Sequence, residues 1–296
     1  NLIPVHIAFI PILIPPLLPV FERLRLDRRM VACILTFGLI TPYMVLPVGF
    51  GKIFINEVVL GSIRKSGMAV TAAEAPGAML IPALGMVAGL LIAVFISYRR
   101  PRDYNRAETE REVRETEPVK IDRRAVLVGV VAILIALAGQ FLMDSLIVAS
   151  VLGVLVFVIS GVFRLSDTQD IFTRGVYLMG GIGLVMIAAS GFAEVMRATG
   201  GVDEMVKVVG GFAGDYKGVA VFLMLFIGLV ITMGIGSSFS TVPLIAAIYV
   251  PLCMSMGLSA AATIAIVGSA GALGDAGSPV SESVLGPTAG LNADGQ

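Results

Sequence analysis

The chain has no tryptophan, one histidine and two cysteines in 296 residues. A single imidazole argues against a zinc site. Cys33 and Cys253 each stand alone in an apolar stretch without CxxC or Cys/His spacing, so they read as packing residues rather than a disulfide or a metal pair. Charge is scarce too: 21 basic and 21 acidic residues cancel, and nothing in that balance points to nucleic acid. No Gly-rich loop ending in Lys-Ser/Thr occurs, which argues against primary pumping. No HExxH and no paired aspartates on facing spans occur, which argues against an intramembrane enzyme. The chain opens inside an apolar segment with no charged n-region or cleavage site, so no targeting peptide is visible, and it stops in the polar run Asn292 to Gln296; the sequence reads as an internal fragment.

Apolar residues are abundant: 57% of the chain is hydrophobic and the mean hydropathy is +0.94. That is too much apolar surface for one soluble core, and the runs reach membrane length. Spans are expected at Leu2 to Phe21, Met30 to Phe50, Pro76 to Ser97, Ala125 to Leu142, Leu146 to Phe163, Ile171 to Ala193, Val219 to Ile235, Val242 to Met256 and Ala260 to Leu273. The expectation is an all-α polytopic membrane protein. Between residues 98 and 124 lies a linker with nine Arg/Lys and seven Asp/Glu. With Arg23, Arg25, Arg28 and Arg29 it is assigned to the cytoplasmic side by the positive-inside rule. Lys52 to Glu74 then faces outward, with Ile53 to Leu60 apolar enough to dip back in. Residues 1–97 are read as the end of a first repeat, 98–124 as a charged cytoplasmic linker and 125–296 as a second, incomplete repeat.

Two proline-containing segments suggest that repeat. Asn1 onward reads Asn-Leu-Ile-Pro-Val-His-Ile-Ala-Phe-Ile-Pro and Ser240 onward reads Ser-Thr-Val-Pro-Leu-Ile-Ala-Ala-Ile-Tyr-Val-Pro. Pro4 is matched with Pro243, and Pro11 with Pro251 after a one-residue slip. Interrupted segments in corresponding halves point to a midplane binding site, because broken helices expose backbone groups to a desolvated solute. Val219 to Met256 is taken as one long segment broken at its Ser-rich stretch. Ile171 to Ala193 is taken as a re-entrant hairpin with its tip at Gly180 to Gly183. By this arithmetic roughly 110 residues precede Asn1 and about 40 follow Gln296.

The run Gly236-Ser237-Ser238-Phe239-Ser240-Thr241-Val242-Pro243 concentrates hydroxyls in one place. Packing by small residues needs one helix face, not a contiguous run, so Ser237, Ser238, Ser240 and Thr241 read as ligands for a dehydrated cation. A second constellation runs from Gly271 to Ser283, where Asp275 and Glu282 flank a Gly/Ser/Pro turn that fits a re-entrant tip. A carboxylate in a low-dielectric cavity takes up either a proton or a sodium ion, and their competition is the chemistry of coupled exchange; an ordinary interfacial loop is the alternative. His6 is a candidate proton relay, although the Pro4 register sets it opposite Ile245. Asn1, opposite Ser240, could lend an amide oxygen. Phe239 and Tyr249 are the aromatic candidates for contact with an organic solute.

These segments, GSSFSTVPLIAAIYVP, GDAGSPVSES and NLIPVHIAFIPILIPP, closely resemble the bacterial Na+/H+ antiporter family of the ion transporter superfamily, which includes members regarded as permeases for histidine-like amino acids. The likeness covers most of the chain apart from the charged linker. It implies an inverted repeat with broken helices and re-entrant hairpins, and secondary active transport by alternating access in the inner membrane of a bacterium. Carried over, Ser238, Ser240 and Thr241 are the second-half ion ligands, Asn1 is the remnant of the first-half motif, and Asp275 and Ser278 lie at the tip of the second hairpin. The resemblance also implies a homodimer, no cofactor beyond Na+ and/or H+, and a small ion or an amino acid as substrate. A channel or structural subunit is the remaining alternative, and it requires flux to survive loss of the hydroxyls.

Overall fold

In the computed structural model the chain is described at residues 14–104, 123–143, 145–162 and 216–292, with isolated positions between 169 and 204. Asn1, His6 and the segment Ile171 to Ala193 lie outside the described residues, isolated positions apart. The described elements are helices: α1 (Leu18–Arg23), α2 (Arg28–Val45), α3 (Phe50–Lys52, continuing as a π-helix over Ile53–Leu60 and α over Gly61–Lys65) and α4 (Glu74–Ile92, ending in a π-turn over Ala93–Ser97). Then follow α5 (Arg123–Met143), α6 (Leu146–Ile159), α7 (Lys217–Ile235), α8 (Ser238–Ser255), α9 (Ala260–Gly277) and α10 (Glu282–Leu291). Polar caps start several of them. The side chains of Asp27, Ser145, Ser259 and Ser281 accept from backbone N–H groups at the starts of α2, α6, α9 and α10, groups that have no partner within the helix.

Five helical segments among the described residues are long and apolar enough to cross a membrane. An all-α polytopic membrane protein follows, because only helices and closed barrels satisfy their backbone groups in lipid. The spans expected at Pro76 to Ser97, Ala125 to Leu142 and Val219 to Ile235 fall within α4, α5 and α7. Residues 114–184 form one compact unit. In it α5 and α6 pair as a hairpin in which Gly139 faces Ala149 and Leu152, and Gly153 faces Ala136.

The other unit, 1–113 with 185–296, is organised around α9, whose glycines let three helices approach. A Cβ on Gly268 would lie 2.6 Å from Met79 of α4, one on Gly271 2.3 Å from Val242 of α8, and one on Gly274 2.4 Å from Thr232 of α7. Thr232 Oγ1 donates to the Ala270 carbonyl at 3.0 Å.

Helices α7 and α8 also lie side by side: the Tyr249 hydroxyl donates to the Met224 carbonyl at 2.6 Å. The expectation of one broken segment over Val219 to Met256 is therefore corrected. At Gly236 the backbone is left-handed, with φ 74°, and a residue without a Cβ lets the chain reverse there. The hydroxyl run is the tip of a helical hairpin.

The interrupted span is instead Ala260–Leu291, broken between α9 and α10 around Pro279. A second interrupted helix is α2 with α3, broken around Pro47. Ile53 to Leu60, expected to dip back from an outward loop, is buried helix, with Phe54, Ile55, Val58, Val59 and Leu60 in the core. The breaks correspond. Arg28 and Ala260, Val45 and Gly277, Pro47 and Pro279, and Phe50 and Glu282 are each 232 residues apart, so both helices start, break and resume in one gapless register. Leu46 and Ser278, which begin the two breaks, are both extended.

The same register matches Pro11 with Pro243 and Pro19 with Pro251. It replaces the Pro4 to Pro243 match, which is seven residues off. Pro4 and Pro11 are seven residues apart, and Pro11 and Pro19, like Pro243 and Pro251, eight, so proline spacing alone admits a slip that the paired helix starts and breaks do not. Asn1 is now opposite Met233, and His6 is opposite Ser238. The interrupted helices run in opposite directions: Thr36 Oγ1 of α2 donates to Ser283 O of α10 at 3.2 Å, and Arg28 donates to Leu291 O at 3.0 Å. The latter contact puts a guanidinium on the carbonyl end of α10, where the helix dipole favours a cation.

Two outcomes follow. Gly271→Val adds bulk where no space exists, and should lower the thermal unfolding midpoint in detergent by the equivalent of about 1–3 kcal/mol. Asp27 caps α2 and is bonded to the Arg29 backbone N–H and guanidinium at 2.9 and 2.7 Å; the Arg29 hydrogen bonds hold its carboxyl below the usual carboxylate range. Its contribution is thus present above the carboxylate's ordinary value and lost as pH falls through the lowered one. Asp27→Ala should cost about 1 kcal/mol at neutral pH and progressively less in acid, read from unfolding midpoints across a pH series.

Candidate functional site

The hairpin tip, the α9–α10 break and the end of α2 meet around one carboxylate. Asp275, in the last turn of α9, is 6% exposed. Its Oδ2 accepts from the Tyr43 hydroxyl at 3.2 Å, and its Oδ1 accepts from the Ser281 hydroxyl. Ser238 stands against this pair, with its hydroxyl 3.2 Å from that of Tyr43. Since Ser238 opens α8, the positive end of that helix dipole is directed at the carboxylate. The described ion pairs are Arg25–Asp103 and Asp27–Arg29, so the charge on Asp275 is met by hydroxyls and a helix end rather than by a base.

An aromatic wall closes one side. Tyr43 meets Phe50 and Phe54 edge-on at 5.5 and 4.7 Å, and Phe239 lies 4.9 Å from Phe50 and 5.7 Å from Phe54. The carboxylate is thus buried with aromatic rings on one side of its phenol partner. About 15 Å of helix extends beyond the break through α10, which places the site within the interrupted span rather than at its end.

Of the residues singled out in the sequence, Ser238 and Asp275 come together here. Ser237 occupies the cap position of α8, where its carbonyl accepts from Thr241 Oγ1 at 2.8 Å. Ser240 and Thr241 are buried in the first turn of α8. Ser278 is fully buried, donates to the Met233 carbonyl at 2.7 Å and accepts from the Val280 N–H at 3.2 Å, so it ties the break to the end of α7. Asp275 and Ser278 thus belong to the break of an interrupted helix and not to a hairpin tip, because the chain passes from α9 into α10 there instead of turning back on α9's neighbours. Glu282 is exposed on the first turn of α10. Asn1 and His6 lie outside the described residues.

Sequence reasoning misses Tyr43 and Ser281. Ser281 lies inside the Gly271 to Ser283 run, but nothing in the run prefers it over Ser283. Tyr43 sits in an apolar span, and only the 232-residue register, which pairs it with Asp275, could draw it out. Phe239, a candidate solute contact, does face the aromatic wall. Tyr249, the other aromatic candidate, spends its hydroxyl within the α7–α8 hairpin. A separate groove of about 890 Å³ lies between α2, α4, α7 and α9, lined by residues such as Cys33, Phe37, Met86, Phe226 and Leu273. It is apolar, and Tyr43, Ser238 and Asp275 are not among its lining residues.

This architecture is that of a membrane-embedded helical protein with a polar site buried between interrupted helices. The model of the Na+/H+ antiporter family matches residues 34–296, and the chain belongs to that family, a family of membrane transporters. An uncharacterized membrane protein of Vibrio parahaemolyticus is 56% identical, and one of Haemophilus influenzae 52% identical, each aligned over all of this chain and 67% of its own length. A Bacillus subtilis protein with the name "Putative amino acid transporter YuiF" is 46% identical over the same shares. The chain thus spans about two thirds of the length of these relatives. No solved structure matches.

Ser281 both caps α10 and donates to Asp275, so Ser281→Ala should lower stability by about 1–2 kcal/mol. Glu282→Gln, at an exposed position, should stay within about 0.5 kcal/mol of the native protein. Unfolding midpoints of the two variants in one detergent provide the comparison.

Proposed function

We propose that the protein is an ion-coupled secondary transporter of the antiporter type, working by alternating access, with Na+ or H+ as the coupling ion and no other cofactor. The observation that carries this reading is a buried carboxylate, Asp275, met by the hydroxyls of Tyr43 and Ser281, with Ser238 and the N-terminus of α8 beside Tyr43, and without a basic partner among the described ion pairs. Such a group is anionic only at a desolvation cost, which a proton or a small cation offsets. Because either ion relieves the same charge, the two compete for it. A site that holds one or the other, and opens to alternate sides, exchanges them across a membrane.

Within this reading Ser238 and Asp275 hold the ion, while Ser237, Ser240, Thr241 and Ser278 shape the tip and the break around it. The inner membrane of a bacterium is the location, and a homodimer the assembly. Residues 1–97 and 125–296 belong to the two repeats, joined through the charged stretch 98–124 on the cytoplasmic side.

A second reading, uptake of an amino acid of histidine-like kind coupled to Na+ or H+, is favoured by two observations. One relative carries an amino acid transporter name, and the Phe50, Phe54 and Phe239 wall beside Asp275 suits an organic solute. Full-length protein in proteoliposomes with an internal pH dye separates the readings. Antiport predicts a pH change on addition of sodium alone. Coupled uptake predicts one only when an amino acid from a panel including histidine is added. In either case Asp275→Asn should abolish the ion-dependent pH change while membrane insertion stays normal, and undiminished coupling would remove Asp275 from the site.

A further inference from the structure

The 232-residue register pairs Tyr43 of α2 with Asp275 of α9. These two side chains are also in direct contact, at 3.2 Å. Two equivalent positions related by a two-fold-like operation meet each other only close to its axis. The Tyr43–Asp275 contact therefore marks where the axis relating the interrupted helices passes, and it passes through the site. Had both halves carried the same side chain, two carboxylates would face each other at hydrogen-bonding distance. Like charges so close require a shared proton or additional positive charge between them. The chain has a neutral phenol in one of the two places.

We propose that Tyr43 sets the charge capacity of the site: it puts a hydroxyl where the repeat would bring a second carboxylate, and so holds the site to one monovalent cation or one proton at a time. The proposal rests on the reading of Asp275 as the ion-binding carboxylate. Tyr43 is 2% exposed, and its ring is fixed by Phe50 and Phe54, so the hydroxyl cannot swing away as a surface group could. A phenol has a single proton to give. With that proton directed to Asp275 Oδ2, its oxygen accepts from Ser238, and the three groups form a closed set in which the carboxylate is partnered before any cation arrives. An entering cation has to displace the phenol proton from Oδ2. Tyr43 thus acts through Asp275 as a positioning residue that opposes cation entry and limits the number of cations held.

The test uses full-length protein in proteoliposomes, comparing native protein with Tyr43→Phe, Tyr43→Asp and Asp275→Asn. The probe cations are Na+ for transport and Ca2+ for binding, the latter read as a shift of the thermal midpoint in detergent. The native protein should show a Hill coefficient near one for Na+ and no Ca2+ shift. Tyr43→Phe removes the competing donor and should lower the half-saturating Na+ concentration about five- to tenfold with little change in maximal rate, a split that a merely structural role would not produce. Tyr43→Asp should gain a Ca2+-dependent rise in thermal midpoint, and if that variant does not fold, Tyr43→Phe alone decides. A half-saturating concentration for Tyr43→Phe within twofold of native, with Asp275→Asn inactive, overturns the proposal and leaves the reading of the site standing. A native Hill coefficient near two, or a folded Tyr43→Asp indifferent to Ca2+, also overturns it. Na+-driven flux that survives in Asp275→Asn overturns the reading of the site, and the proposal with it.

Discussion

A carboxylate surrounded by apolar helices is tolerable only if every one of its oxygens finds a donor, and the arrangement around Asp275 meets that demand with groups from three different parts of the chain. Tyr43 comes from the end of α2 and Ser281 from the break before α10, and Ser238, at the start of α8, stands against the Tyr43 hydroxyl. Each donor is available because a helix ends or begins there. An uninterrupted helix would keep its backbone N–H groups for its own carbonyls and would carry no capping hydroxyl at that depth. The need to solvate one buried charge without water thus links the hairpin turn at Gly236, the break at Pro279 and the placement of the aromatic wall.

Those elements can converge because α9 is thin. Its glycines at positions 268, 271 and 274 face α4, α8 and α7 in turn, at separations that leave no room for a Cβ. Close backbone approach is the usual basis of helix association in lipid, where apolar side chains gain little by leaving one another for hydrocarbon. The same closeness brings the α8 N-terminus up to the Tyr43–Asp275 pair. Packing and site chemistry are therefore two consequences of one small-residue helix, and a larger side chain at Gly271 would disturb both.

Two of the clustered residues, Ser238 and Asp275, are legible in the sequence. The hydroxyl run from Ser237 to Thr241 and the Gly271 to Ser283 stretch stand out because polar residues in contiguous runs are costly in a membrane span and need a purpose. Their mutual arrangement is not legible. Both a hairpin tip and a helix break contain Gly, Ser and Pro, so composition assigns the two constellations to the opposite roles as readily as to the right ones. What separates them is whether the flanking helices pack on each other, which the Tyr249 to Met224 hydrogen bond decides for the first pair. Tyr43 is hidden for a related reason: a tyrosine in an apolar span is unremarkable until the residue across from it is known to be an aspartate.

Hydropathy, hydroxyl density and proline recurrence are properties of the linear chain, and they suffice to define a helical membrane protein and to suggest an internal repeat and a polar site of hydroxyls with Asp275 and Glu282 as candidate carboxylates. The proline pattern does not suffice for the register of the repeat, because prolines seven or eight residues apart match themselves after a slip. That register comes from the folded molecule, through the equal lengths of α2 and α9 and the matching breaks that lead into α3 and α10. The meeting of Tyr43 with Asp275 comes from it as well, because contacts between helices 232 residues apart depend on how glycine-lined surfaces pack and not on any pattern within either segment.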